Sequence, residues 1–168
     1  MEKLPGDYIA GFVDGEGCFA LKFRRDVRHE RKGKPEYFYW DIEFVIGLKA
    51  DDKDILERIR DTMGCGRLGN IDRRGLVRYA VNDVRDLVKK VIPFFEKYPL
   101  HAKKRHDFKL WSEAVTIFTR NQRKGVNAGK GGFQKTEWNG RDLQRIKEIK
   151  EEMATYKGGN RHNWKWLP

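Results

Sequence analysis

The residues best placed to do chemistry are two acids set among glycines, Asp14-Gly15-Glu16-Gly17, within the stretch YIAGFVDGEGCF (Tyr8–Phe19). Before them, small Ala10 and Gly11 stand among Tyr8, Ile9, Phe12 and Val13, which predicts a helix that another backbone can approach closely. The glycines break that helix and leave Glu16 just past its end, beside flexible backbone. A carboxylate on such a break, next to free main-chain carbonyls, suits a hard cation. A buried helix capped by a polar turn accounts for the same residues equally well.

Other chemistries are poorly supplied. Cys18 and Cys65 are too few for a disulfide scaffold, and both are expected as small core residues in a reducing interior. Four scattered histidines and two cysteines give no zinc spacing. No run reaches the length of a membrane span, and the start MEKLPGDY has no signal-peptide core, so an intracellular protein is expected. The 168 residues, 39% apolar and 12% aromatic, suit one folded domain. A net charge of +11 points to nucleic acid or another anionic surface. The surplus is uneven: residues 1–50 are neutral overall, whereas residues 120–168 carry twelve basic and five acidic side chains.

The elements that must position the acids follow from periodicity. Asp7 can cap the motif helix after Leu4-Pro5-Gly6. From Cys18 the period becomes two: Phe19, Leu21 and Phe23 alternate with Lys22, Arg24, Asp26 and Arg28. After a polar turn at Arg28–Pro35, the apolar series Phe38, Trp40, Ile42, Phe44, Ile46 and Leu48 alternates with Tyr39, Asp41, Glu43 and Val45. These two strands make a long hairpin. A helix starting at Asp51 or Asp52 places Ile55, Leu56, Ile59 and Met63 on one side and ends at Gly64. A second hairpin joins Cys65–Ile71 to Leu76–Val81. Asn82 or Asp83 then caps a third helix with the stripe Val84, Leu87, Val88, Val91, Ile92 and Phe95.

This order predicts an α+β fold, α-β-β-α-β-β-α, with a four-stranded antiparallel sheet covered on one face. The open face would carry Lys22, Arg24, Arg28, Tyr39, Asp41, Glu43, Arg67 and Arg78. Such a face is either simply solvated or built to read a major groove, where Arg pairs with guanine and carboxylates with cytosine. Residues 1–120 would form the core. Residues 121–168 would extend the same domain with a basic loop containing Lys130, a helix capped by Asn139 and a basic-aromatic tail. That tail is either disordered or an arm contacting a nucleic-acid strand.

Ile9–Gly17 resembles the LAGLIDADG motif of homing endonucleases, with Glu16 at the final acidic position. Two further segments extend the resemblance over about the first 120 residues: Phe44–Asp52 (FVIGLKADD), where the family has a strand entering its second helix, and Pro99–Phe108 (PLHAKKRHDF), of the type P-L-x-x-K-K-x-x-D-F.

The resemblance implies a site-specific double-strand DNA endonuclease, encoded within an intron and cutting a long pseudo-palindromic site. The alternative is a maturase or a non-cleaving nucleic-acid-binding protein on the same fold. A single motif implies a homodimer in which two motif helices meet through Ile9, Ala10, Gly11, Val13 and Asp14. Glu16 and the Gly15 carbonyl would hold Mg2+, with Mn2+ or Ca2+ able to occupy the same site. Lys103 or Lys104 would be the catalytic lysine, although either reads equally well as an exposed lysine at a helix start. One departure is Leu48 at the end of the second strand, where some members place a polar, water-organising residue; Lys49 follows it.

Overall fold

The computed structural model describes residues 3–122 and 138–156, apart from positions 28, 30, 31 and 35. Arg28, Lys130 and the tail at 157–168 therefore lie outside the described residues. Helix α1 (Gly6–Glu16) leads into strands β1 (Gly17–Val27) and β2 (Glu36–Lys49). A 3-10 turn at Ala50–Asp52 opens α2 (Lys53–Met63), followed by β3 (Arg67–Leu68) and β4 (Leu76–Val81). Next, α3 (Val84–Asp86) passes through a wide π-helical turn, Leu87–Val91, into α4 (Ile92–Lys97). Two longer helices complete the fold, α5 (Lys104–Asn121) and α6 (Gly140–Tyr156).

The sheet is antiparallel throughout, in the order β1-β2-β4-β3. β1 and β2 pair without a break from Gly17 opposite Ile46 to Val27 opposite Glu36. At about 3.3 Å per residue, β2 alone runs roughly 45 Å. Alternation turns Phe19, Leu21, Ile42, Phe44, Ile46, Val77, Tyr79 and Val81 under the helices, where each is at most 2% exposed. Phe19 and Phe44 stack at 5.3 Å and meet Phe95 edge-on, while Phe108 and Trp111 of α5 close on Phe19 at 5.2 and 5.1 Å. This aromatic cluster joins the sheet to α4 and α5, and so fixes α5 relative to the end of α1.

Several local expectations shift. α1 begins at Gly6 with no side-chain cap, and Asp7 lies in its first turn. The third strand is only two residues long. Val88 is 38% exposed, because the wide turn rotates it off the stripe formed by Leu87 and Val91. Cys65 is buried as expected, whereas Cys18 is exposed. Cys18 shares the outward face with Lys22 and Arg24, a consequence of the two-residue period that buries Phe19. Asn139 caps α6 as expected, its Oδ1 accepting from the Asp142 amide at 2.9 Å. Among the described residues, no helix is long and apolar enough to cross a membrane.

Candidate active site and nucleic-acid interface

The end of α1 is tied to the start of α5 in both directions. Asp14 Oδ2 accepts from the backbone N–H groups of His101 (2.8 Å) and Ala102 (3.2 Å). In return, Lys104 Nζ donates to the carbonyl oxygens of Asp14 (2.8 Å) and Gly15 (2.7 Å). The last turn of α1 contains no basic residue of its own. Lys104 therefore places a positive charge at the negative end of the helix, from a segment about ninety residues further along the chain. Gly17 lets this corner close: a Cβ there would lie 2.5 Å from Val13 Cγ1 and 2.9 Å from the Val13 carbonyl oxygen.

Glu16 is the last residue of α1 and is exposed. Beside it are the Asp14 and Gly15 carbonyls that already attract an ammonium group. Both carbonyls accept from Lys104 in this structure, so the exposed Glu16 carboxylate is the oxygen donor that a hard divalent cation would meet first. Among the described residues, no group of three or more His, Cys, Asp or Glu side chains converges on a metal position. Of the two lysine candidates, Lys104 is the one held at the acidic end of α1. Lys103 is exposed at the turn before α5.

The residues expected at a dimer contact separate. Ile9 and Val13 are fully buried and Ala10 is 3% exposed, all packed into the chain's own core. Asp14 is turned toward residues 101 and 102. Only Gly11 of the five is exposed, and it shares the outer face of α1 with Tyr8, partly buried Phe12 and Gly15. Nothing lies within 4 Å of a Cβ built at Gly11 or Gly15. The helix is apolar nearly all round, so the sequence alone could not assign its inner and outer sides.

The uncovered sheet face gathers the expected polar residues: Lys22 and Arg24 from β1, Tyr39, Asp41 and Glu43 from β2, Arg78 from β4 and Arg67 from β3. Lys49 lies on this face and is exposed, whereas Leu48 packs on the core. Arg24 Nε donates to Asp41 Oδ2 at 2.7 Å. Glu43 departs from the expectation of an open carboxylate, being only 4% exposed. Its Oε1 accepts from Lys22 Nζ and, at 2.5 Å, from Arg78 Nη2, with Arg24 Nη2 3.8 Å away. Burial alone would push the Glu43 carboxyl up, but hydrogen bonds and charge from Lys22 and Arg78 outweigh it, and the net shift is downward.

A second polar node, missed in the sequence, stands between α5 and α6. Asp142 is 3% exposed and receives Arg120, Asn121 Nδ2 (2.6 Å) and Asn139 Nδ2 (2.8 Å). The cap at Asn139 was the only local signal for it.

Three comparisons bear on the family of this chain. The family description LAGLIDADG endonuclease matches residues 9–115. A protein of Podospora anserina described as an uncharacterized 50.9 kDa protein in ND4 intron 1 is 31% identical over 126 residues, covering 73% of this chain and 26% of its own length. Homing endonuclease I-ApeII of Aeropyrum pernix is 30% identical over 116 residues, 67% of this chain and 64% of the relative. The chain thus spans less than two thirds of either relative. Among solved structures, I-SmaMI bound to uncleaved DNA target in the presence of calcium ions superposes with a TM-score of 0.67 at 25% identity, over 89% of this chain and 45% of that one. With the family match running from the first buried residue of α1 into the core of α5, this chain belongs to the LAGLIDADG endonuclease family.

Proposed function

We propose that this chain is an intron-encoded homing endonuclease, a nuclease that makes a double-strand break at a long pseudo-palindromic DNA site by metal-dependent phosphodiester hydrolysis. The observation that carries this reading is the end of α1, where exposed Glu16 follows the Gly15 carbonyl that accepts from Lys104. Two copies of the chain associate through the outer face of α1, around Gly11 and Gly15, so that each contributes one Glu16. Each β1–β2 ribbon then lies along one half of the site.

Glu16, with the Gly15 carbonyl that Lys104 occupies in this structure, would hold the divalent ion, Mg2+ in the cell, with Mn2+ or Ca2+ able to substitute. Such an ion supplies charge neutralisation at the phosphate and activation of the attacking water. Lys104, fixed by two carbonyls, adds positive charge beside the reacting phosphate. Asp14 acts at one remove, by fixing the backbone from which Lys104 projects. The open sheet face provides Arg24, Arg78, Lys22 and Arg67 for base edges and phosphates. An intracellular location, bacterial or organellar, fits two free cysteines and relatives named for introns.

The test is cleavage of a randomised duplex library by the purified chain with Mg2+, followed by recovery of the cut sequences. Glu16→Gln should bind the recovered site as tightly as the parent while cutting falls by at least about 100-fold, the scale of losing one electrostatic catalytic group. Normal cutting by Glu16→Gln would remove the metal assignment. A sedimentation mass of one chain per cleaved site would remove the dimer.

A further inference from the structure

Among the described residues, Glu43 is the most buried carboxylate of the open face. A reader must present free lone pairs to the groove, yet Glu43 is 4% exposed and its Oε1 is engaged by Lys22 and Arg78. Its position explains why. It lies on β2, between β1 and β4. Ala20 is its register partner on β1, and Lys22 on the same outward row reaches it diagonally. On β4, Arg78 is the register partner of Gly47, and its guanidinium reaches Glu43 four residues away along β2. Three cations from two other strands thus crowd around one carboxylate.

Without that carboxylate, Lys22, Arg24 and Arg78 would repel one another and point apart. With it, two of the three are tethered. Each still has N–H groups to spare, since an ammonium has three and a guanidinium five. Arg24 is held separately by Asp41 and lies at the edge of the same charge cluster.

We propose that Glu43 is a positioning residue for DNA recognition: it does not contact bases but pre-orders Lys22 and Arg78, with Arg24 beside them, so that sequence-specific contacts form without first ordering three long side chains. This rests on the DNA-binding reading above. Non-specific binding, which needs only positive charge, is opposed by Glu43. Specific binding, which needs placed donors, is helped by it.

The two effects have opposite signs, and that makes them separable. In Glu43→Gln, affinity for unrelated duplex should rise and the slope of log K against log salt should steepen by about one, as for one added phosphate contact. Affinity for the site selected from the random library should fall, so that the ratio of specific to non-specific binding drops about ten-fold. Lys22→Met should cost discrimination in the parent but little in the Glu43→Gln background; equal cost in both would overturn the proposal. So would a change of preference confined to a single base pair, which would make Glu43 a direct reader. If Glu43→Gln does not fold, as judged by circular dichroism, Glu43→Asp keeps the charge but shortens the reach, and should give the same drop in discrimination without the steeper salt slope.

One readout is independent of DNA. The Arg78 side-chain N–H signals in the free protein should show restricted rotation by NMR and lose it in Glu43→Gln. Free rotation in the parent would refute the tether. A parent chain with no sequence preference at all, but with a restricted Arg78, would instead refute the proposed function and leave the tether standing.

Discussion

Replacing Asp14 by alanine separates two roles that this acid could have. In the structure its Oδ2 accepts from two backbone N–H groups, of His101 and Ala102. Hydrogen bonds to a charged acceptor are worth about 1.5–3 kcal/mol each when well shielded, and about 1 kcal/mol each is appropriate at this partly exposed corner. Asp14→Ala should therefore cost about 2 kcal/mol of folding stability. With a urea slope of roughly 2 kcal/mol per molar for a chain of this size, the unfolding midpoint falls by about 1 M.

Asparagine should not rescue it. Asp14 Oδ1 is buried with no hydrogen-bond partner among the described residues. An amide must put its NH2 group either at that position or against the two backbone donors, and a buried donor without an acceptor costs about 1–3 kcal/mol. Urea unfolding followed by fluorescence, at protein concentrations a hundred-fold apart, is the assay. The clamp lies within one chain, so the shift must be the same at both concentrations. A loss seen only at high concentration would place Asp14 at a subunit contact, as the sequence reading had it, and would refute the clamp. Unchanged stability of Asp14→Asn would refute the argument from Oδ1.

Other predictions follow from the same contacts. Gly17→Ala drives a Cβ into Val13, including its backbone carbonyl, and should lower stability by about 1–3 kcal/mol in thermal melts. Gly11→Ala meets nothing within the chain and should raise single-chain stability by up to about 1 kcal/mol through helix propensity; it should also weaken self-association in sedimentation, and stronger association would refute the outward face as a subunit contact. Arg120, followed by Asn121 and Asn139, holds the Asp142 carboxyl well below the ordinary aspartate value of 3.8. A depressed value contributes stability that is present above 3.8 and lost as pH falls below it, so Asp142→Asn should flatten the acid limb of an ellipticity titration from pH 5 to 2. An acid limb identical to the parent's would refute that contribution.

What the sequence made legible was local. The alternation from Phe38 to Leu48, the stripe of α2 ended by left-handed Gly64 (φ 65°) and the Asn139 cap each rest on neighbours within a few residues. Features that depend on distant partners were hidden. Glu43 is buried by Lys22 and Arg78, 21 and 35 residues away, which no window around β2 contains. β3 stops at Leu68, short of the expected end at Ile71; Ile71 is 57% exposed, and no strand or helix among the described residues covers it. Cys18 was expected inside from its residue type, and register put it outside.

The motif helix shows how far residue identity and position can diverge. Its residues divide between two sides: Ile9 and Val13 serve the chain's own core, while Tyr8, Gly11, Phe12 and Gly15 face outward. Asp14 lies between these faces and turns back to hold residues 101 and 102, whereas Glu16, the other acid of α1's last turn, is exposed. That division also explains the distant lysine. A carboxylate at the negative end of a helix is electrostatically unfavourable unless a cation is near. Lys104 supplies one through the Gly15 carbonyl. The placement of Asp14 and Gly17 thus serves to hold that lysine at the carbonyl end of α1.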